Sequence, residues 1–321
     1  MTWRLFRELK GKIPPKKLEI PKRSYSVTSD IIAYKICPRQ YGLMKHRGYK
    51  SAHNIQLWFG TAVHQVLKKL HMQYRGLIIP EKEGKIPSDI DVEKYFEIVN
   101  QSLVRQGIRA MNAKEEKHAL KVIKKFNEIE GPKLYPNIID TEFSFQSDMG
   151  EFILEGIVDV LKETSSDEVA EGYHNVEIWD YKASKNPKFE NKPLKIEKYS
   201  YQMLVYAELY HKKTGYYPRK GILYFMNELE NPENIALSRE EIQEKAVIKF
   251  DFTDKKEYLL IKNAIEDFSQ TVSDIERCKD LDLWDAPEKM VDEDTCNGCD
   301  GRWDCNCPEI KGNKKYKMRY P

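Results

Sequence analysis

The sequence predicts a mixed α/β fold, in which a sheet flanked by helices is joined to a helical subdomain and a cysteine-rich C-terminal segment. Three strand-like segments follow one another within residues 138–184. A segment with helical apolar spacing comes next, at 196–215, and another strand-like segment, 220–226, follows it. Upstream, the stretches 54–74 and 91–130 carry apolar residues at helical spacing. Together these segments predict the sheet, its flanking helices and the helical subdomain.

The composition allows a sizeable core and excludes several classes of protein. The chain has 321 residues, 40% of them hydrophobic, and a formal net charge of only +2, so any nucleic-acid-binding surface must be local. No run of about 18 apolar residues predicts a membrane span. The first residues, "MTWRLFRELKGKIPPKK", lack the apolar core and cleavage site of a signal peptide. We therefore expect a cytoplasmic protein, in which clustered cysteines more often bind metal than form disulfides.

Four regions are expected along the chain. Residues 1–27 are rich in Lys and Pro and predict a basic N-terminal arm. Residues 28–135 predict a helical region, and residues 136–285 hold the strands and long helices of the core. Residues 286–321 combine a cysteine-rich segment with a basic tail.

Turn signals separate the elements of the core. The stretch "SDMG" predicts a hairpin turn between the first two strands, and Gly215 predicts the C-terminal end of a helix. The predicted strands are 138–146, 151–163, 175–184 and 220–226, and the predicted helices are 196–215 and 254–277.

Two charged residues end the third predicted strand, in "IWDYKAS". Side chains of a strand alternate between its faces, so Asp180 and Lys182 point the same way. Asp159 lies on the preceding strand, and two neighbouring strands would bring its carboxylate close to that of Asp180. Two close carboxylates repel unless a cation lies between them, and oxygen ligands suit Mg²⁺ or Mn²⁺. A surface ion pair of Asp180 with Lys182 is the alternative, because such pairs are common and nearly neutral in energy.

Four short motifs extend this pattern. They are G-x-x-x-H (Gly60 to His64), G-x-x-D (Gly156 to Asp159), D-x-K (Asp180 to Lys182) and Q-x-x-x-Y (Gln202 to Tyr206). In their order and in the predicted elements that carry them, these motifs resemble those of the RecB-like branch of the PD-(D/E)XK nucleases. The resemblance implies a restriction-endonuclease-like core over residues 136–285.

The resemblance implies a divalent metal site. Asp159 and Asp180 would bind the ion, with His64 as a further ligand and the carbonyl of Tyr181 as another. His71 lies two turns beyond His64 on nearly the same helix face and is the alternative histidine.

The resemblance also implies catalytic roles for three other residues. Lys182 would position the attacking water and stabilise charge on the phosphate, while Gln202 and Tyr206 would orient the lysine or contact substrate. Gln202 and Tyr206 are spaced i,i+4 and therefore share a helix face. Core packing of Tyr206 is the alternative. We expect the nearby acids Glu142 and Glu155 to face solvent.

The cysteines near the C-terminus form a C-x2-C-x5-C pattern, and three thiolates leave a tetrahedral site one ligand short. The pattern resembles the iron–sulfur staple of the AddB nuclease domain and of the fourth family of CRISPR-associated (Cas) exonucleases. The resemblance implies a C-terminal Fe–S-binding segment, with a [4Fe–4S] cluster on Cys37, Cys296, Cys299 and Cys305. A zinc site with four thiolates has the same spacing, and Cys307 competes as fourth ligand.

By this resemblance the chain is expected to be a metal-dependent DNA nuclease that acts on single-stranded DNA or DNA ends as an exonuclease. No GxxxxGK[ST] phosphate loop is present, so a separate helicase or a CRISPR integrase is an expected partner. CRISPR adaptation, DNA repair or recombination, and antiviral defence are all compatible roles. The alternative function is a non-catalytic DNA-binding or scaffold subunit. The basic stretches "PPKKLEIPKR" and "KGNKKYKMRY" either contact phosphates or are solvated tails.

Overall fold

One mixed sheet of six strands forms the centre of the fold in the computed structural model. Residues 1–21 of the predicted basic arm (residues 1–27) and residues 314–321 of the basic tail lie outside the described residues, whereas the end of the arm contains a strand, Ser24–Ser26. The structure describes residues 22–49, 55–164, 170–234, 236–291 and 293–313. The strands are β1 (Ser24–Ser26), β2 (Ile138–Asp148), β3 (Ile153–Glu163), β4 (Tyr173–Lys182), β5 (Tyr217–Phe225) and β6 (Val247–Asp251).

Helices flank this sheet on both faces, which confirms the predicted mixed α/β class. No described helix has the length and apolar character needed to cross a membrane. In sequence order, the α-helices are α1 (Ala33–Ile36), α2 (Pro38–Tyr41), α3 (Ile55–Tyr74), α4 (Asp89–Arg105), α5 (Ala113–Ile129), α6 (Gly131–Leu134), α7 (Pro193–Thr214), α8 (Arg239–Lys245), α9 (Lys255–Leu281), α10 (Glu293–Asn297) and α11 (Pro308–Gly312).

Local sequence signals set the ends of these helices. Helix α4 begins with a capping box, in which Ser88 and Asp91 bond each other's backbone N–H. Helix α7 begins with Pro193 and ends at Gly215, whose φ of +82° is a conformation that favours glycine. The N–H of Gly215 donates to the carbonyl of His211 at 2.8 Å, so the predicted C-cap is confirmed.

Strand β3 pairs with three strands. Along one edge it pairs antiparallel with β2, beginning at the predicted hairpin. Along its other edge it pairs with two strands in turn: β1 runs parallel to Ile153–Glu155, and β4 runs antiparallel to Val160–Glu163. Between them, residues 156–159 have no partner strand on that edge within the described chain. Strand β4 continues past this pairing to Lys182, which β5 holds in register with Phe225. We call the gap between residues 156–159 and 180–182 the notch.

The two faces of β4 enter different hydrophobic cores. Val176 and Ile178 pack with residues of α7 and α9, whereas Trp179 and Tyr181 pack with residues of α3, α4 and α5. This alternation places Asp180 on the α7 face, as period-two geometry predicts. Helix α7 is also the crossover between the parallel strands β4 and β5, so it lies directly over the end of β4.

A glycine of β3 allows α7 to pack closely. A Cβ added at Gly156 would lie 2.8 Å from Cε1 of Tyr206 and 2.9 Å from Cδ1 of Leu209. Both contacts are shorter than van der Waals separation, so any larger residue would push α7 away from the sheet. The glycine of G-x-x-D is therefore explained by the ring of Tyr206.

We expect Gly156→Ala to lower the free energy of unfolding by about 1–3 kcal/mol, the usual cost of overpacking a core. Urea denaturation followed by circular dichroism measures this change, provided that the m-value stays constant. Gly312→Ala is the matched control, because a Cβ there meets no atom within 4 Å. Equal midpoints for the two variants would contradict close packing of α7 on β3.

Candidate active site and thiol cluster

The carboxylate of Asp159 joins three segments at the notch. Its Oδ2 accepts a hydrogen bond from the backbone N–H of Tyr181 at 2.6 Å, and its Oδ1 lies 2.9 Å from Nδ1 of His64. His64 comes from α3, on the opposite core from α7. The side chain thus bridges β3 and β4 where their ladder stops, and brings the predicted histidine to the same place.

The carboxylate of Asp180 occupies the other side of the notch. The residue is only 5% exposed. Its Oδ1 accepts from Nε2 of Gln202 at 2.9 Å, and its Oδ2 lies 2.5 Å from Nζ of Lys182. This buried ion pair with the ammonium is the polar contact of Oδ2, whereas Oδ1 is bonded to the amide of Gln202. The predicted alternative of an exposed ion pair does not fit this burial.

Gln202 connects the acid with the lysine. Nζ of Lys182 donates to Oε1 of Gln202 at 2.6 Å and lies 4.7 Å from the ring centre of Tyr199. Nε2 of Gln202 donates to the hydroxyl of Tyr206 at 2.8 Å as well as to Asp180. The amide of Gln202 is therefore held at both ends, and Lys182 has little freedom to turn away from the notch.

Burial and charge shift the pKa values of two of these groups. Burial raises the pKa of the Asp180 carboxyl; Lys182 opposes that shift, and the nearby carboxylate of Asp159 adds to it. Burial alone would lower the pKa of His64, but the attraction of Asp159 outweighs it and raises the pKa to about 9. The notch therefore stabilises positive charge beside its two acids.

The donor set at the notch fits a divalent cation. Two carboxylates and an imidazole are ligands that Mg²⁺ and Mn²⁺ accept, and Oδ2 of Asp180 already faces a cation, the ammonium of Lys182. Among the described residues, no three such side chains are already arranged as ligands of one metal ion. Instead, His64 and Lys182 supply the positive charge that balances the acids. The carbonyl of Tyr181 stays a predicted ligand, since the contact of that residue with Asp159 is made by its N–H.

His71 has no hydrogen bond to either carboxylate of the notch in the described chain. It is buried, and burial lowers its pKa to about 3, so the ring is neutral. Its ring packs against Tyr135 and Tyr181, with centroids 5.5 Å and 6.2 Å away. His64, and not His71, is the histidine in contact with Asp159.

Glu142 is half-buried beside Asp159, although it was expected to face solvent. Its neighbours in β2 pair with Val158 and Val160, so Glu142 lies opposite Asp159. Its φ of +52° is rare for a residue with a side chain. Burial and then the charge of Asp159 raise its pKa, and Lys68 lies 3.8 Å away. Counting the register outward from the hairpin turn would have found it.

Five cysteines line one cavity between the two ends of the described chain. The predicted set of four is present there together with Cys307, and Gln40, Met290 and Ile310 are among the other lining residues. Burial raises the pKa of the Cys37 thiol, and the thiols of two C-terminal cysteines add to that shift. The cysteines are Cys37, Cys296, Cys299, Cys305 and Cys307.

Other contacts hold the same two ends together. Nη2 of Arg39 donates to the carbonyl of Asp304 at 2.6 Å. The backbone of Gly42 packs against the indole of Trp284 so closely that an added Cβ would lie 2.3 Å from it. The meeting of the chain ends therefore does not depend on the thiols alone.

The five thiols that line this cavity are ligands of the kind that zinc and iron–sulfur clusters prefer and that Mg²⁺ does not. Among the described residues, no three of these thiols lie close enough together to hold one metal ion, as is also true of the side chains at the notch. Cys307 already has a structural role, because it precedes α11 as its N-cap residue and its Sγ lies 3.7 Å from the carbonyl of Glu288. Cys278 lies apart in α9, with its Sγ 3.4 Å from the hydroxyl of Tyr34.

Comparison with known proteins places this site in a family. A crystal structure of a provisionally named exonuclease from Eubacterium rectale aligns with all of this chain and 95% of its own, at 12% identity and a TM-score of 0.46. No curated protein matches significantly. The sequence profile of the PD-(D/E)XK nuclease superfamily matches residues 26–306, which include the notch and three of the clustered cysteines that follow α9. The chain belongs to the PD-(D/E)XK nuclease superfamily.

Proposed function

We propose that this protein is a metal-dependent deoxyribonuclease that hydrolyses phosphodiester bonds at the notch. The observation that carries the proposal is the hydrogen-bonded unit of Asp180, Lys182 and Gln202, set opposite Asp159 and His64. A scaffold protein has no need to bury a lysine and two acids together, since burying charges is costly unless they are used or paired. Membership of a nuclease superfamily supports the same conclusion.

Asp159, Asp180 and His64 would hold the Mg²⁺ or Mn²⁺ ion, with the carbonyl of Tyr181 as a predicted fourth ligand. When bound, such an ion neutralises the phosphate and lowers the pKa of a bound water. Glu142 faces Asp159 across the ladder and would add negative charge that strengthens binding of the ion.

Lys182 would position the attacking water and stabilise the charge that develops on the phosphate. Its ammonium group is held toward the notch by Gln202, and Gln202 is held by Tyr206. Groups fixed before reaction are more effective than mobile ones, because they need not reorganise in the transition state. Gln202 and Tyr206 would therefore act as positioning residues.

We expect single-stranded DNA or a DNA end to be the substrate. Asp180 is 5% exposed, so a phosphate has to enter the notch to reach it. A flexible single strand or a frayed end enters such a gap more readily than a stiff duplex, which supports exonucleolytic action. Partnership with a helicase or a CRISPR integrase, and roles in CRISPR adaptation, repair or antiviral defence, stay predictions of the sequence resemblance.

We further propose that Cys37, Cys296, Cys299 and Cys305 hold a [4Fe–4S] cluster as a structural staple. The convergence of these thiols on one cavity supports the proposal. The staple would close a loop of most of the chain, where constraint of the unfolded state is largest in theory.

Asp180→Asn and Lys182→Met should each lower the rate of DNA cleavage by about two orders of magnitude or more, because each removes a charge that the reaction uses. The assay is cleavage of a labelled single strand in Mn²⁺, with EDTA expected to abolish activity. Lys249→Ala, on the exposed face of β6, is the control. Parental rates in either notch variant would show that the active site is elsewhere, and a parent that never cleaves DNA would favour the scaffold function.

His64→Ala should raise the Mn²⁺ concentration for half-maximal activity by about tenfold, because loss of a ligand or its support usually costs at least that in affinity. His71→Leu should leave that concentration unchanged, since His71 is buried among aromatic rings. Titration of both variants with Mn²⁺ tests the difference. A larger shift for His71→Leu would mean that the wrong histidine has been chosen.

Protein purified without oxygen should be brown, absorb near ~400 nm and contain about four irons per chain. Cys37→Ala should lose the colour and lower the thermal midpoint, because binding energy at such a site is folding energy. Cys278→Ala should change neither property. If Cys307→Ala loses the colour while Cys37→Ala stays brown, the cluster lies within the C-terminal segment. A colourless parent protein that contains one zinc per chain would show that the site binds zinc and not iron.

A further inference from the structure

The loop that follows the D-x-K motif is held rigidly by one buried side chain. Asn186 is 1% exposed, and its N–H donates to Oε1 of Glu228 at 2.8 Å. Its Nδ2 donates to the carbonyl of Lys245 at 2.8 Å, and its Oδ1 accepts from the N–H of Lys188 at 3.1 Å. An asparagine bonded in this way ties the loop to the elements that follow β5 and precede β6.

This anchored loop presents an aromatic ring to solvent. Phe189 is 61% exposed, although its N–H is fixed to the carbonyl of Asn186 at 3.1 Å. The ammonium of Lys245 lies 5.1 Å from the ring centre, within the range of a cation–π contact. Single exposed apolar residues are common, but this one is built on a rigid support beside positive charge.

The loop lies at the same end of the sheet as the notch. It begins one residue after Lys182, and the carbonyl of Ala183 accepts from Nδ2 of Asn227 at 3.0 Å, just beyond β5. A strand that leaves the notch at this end would pass near the loop.

Lysines continue from the loop along α7. Lys195 and Lys198 precede Gln202 by seven and four residues, so all three share one helix face. Together with Leu194 and Tyr201, the two lysines line a groove of about 270 Å³ beside α7. Residues 183–198 contain five lysines and two glutamates, a net charge of +3 next to the predicted active site. We call residues 183–198 the platform.

We propose that the platform binds the single strand that runs out of the notch, with Phe189 stacked on a base and Lys195 and Lys198 beside its phosphates. This proposal rests on the proposed nuclease function and assigns the strand a binding surface. Every base has a π-face, so a stacking ring beside lysines binds single strands with little sequence preference. Bases in a duplex are already stacked on their neighbours, so the ring discriminates against duplex.

The test is binding of a fluorescent oligothymidylate, and of a matched hairpin duplex, in EDTA so that no cleavage occurs. Phe189→Leu should weaken single-strand binding about tenfold, since one stacked base is worth that much or more. Phe189→Trp, which keeps a π-face, should bind within about twofold of the parent. Duplex binding should change in neither variant. Equal losses with Leu and Trp, or parental binding with Leu, would overturn the stacking role.

Further variants distinguish the effect of the Phe189 ring on binding from the effects of the lysine charges and of a general disturbance of the fold. Tyr216→Leu removes a 46% exposed ring that stacks on His174, outside the platform, and should leave binding unchanged. Lys195→Ala and Lys198→Ala should each reduce the slope of log affinity against log salt concentration by about 0.7, the value for one phosphate contact on a single strand. An unchanged slope in both lysine variants would remove the phosphate contacts from the proposal.

Hydrolysis of bis-p-nitrophenyl phosphate in Mn²⁺ tests the nuclease function separately from strand binding by the platform. That small diester should be cleaved equally by the parent and Phe189→Leu, because it is too short to span the notch and the platform. If the parent cleaves neither the diester nor DNA while Phe189→Leu still weakens binding, the nuclease function fails and the platform stands. If the parent cleaves DNA while Phe189→Leu binds normally, the platform fails alone.

Discussion

The carboxylate of Asp159 is the contact on which the notch depends. Where β3 and β4 separate, the backbone of β4 loses its partner strand, and a buried N–H without an acceptor costs free energy. Asp159 supplies the acceptor for Tyr181 and at the same time receives His64 from α3. One side chain thus ends the ladder, joins the two cores that meet at the sheet, and fixes the distance between the two acids.

The same constraint explains why the second acid is so heavily supported. Asp180 is buried next to another carboxylate, and its burial is tolerated because Lys182 and Gln202 contact both of its oxygens. Removing one partner of a buried charge pair typically costs about 3–5 kcal/mol. The proposed catalytic lysine is therefore also a structural residue. Its two roles favour the same rigid placement.

Periodicity in the sequence was enough to predict the centre of this site. The period of two along β4 correctly put Asp180 and Lys182 on one face, and the i,i+4 spacing put Gln202 beside Tyr206. Both inferences need only local geometry. What the sequence did not show depends on distant contacts. The parallel pairing of β1 with β3 joins segments more than a hundred residues apart, and the positive φ of Glu142 is a backbone conformation that its residue type does not predict.

The N-terminal segment links the thiol cavity to the proposed active site. Residues 25–41 contain the end of β1 followed by short helical segments, which are too short to be stable alone. They are held by tertiary contacts: Tyr25 bonds Glu276 of α9, and Lys35 pairs with Asp267 at 2.5 Å. The buried side chains of this segment belong to the same hydrophobic core as those of α7. A clamp on Cys37 would therefore hold the surface against which α7 packs, and α7 carries Gln202 and Tyr206. Loss of the staple would loosen the support of Lys182 without touching a residue of the notch.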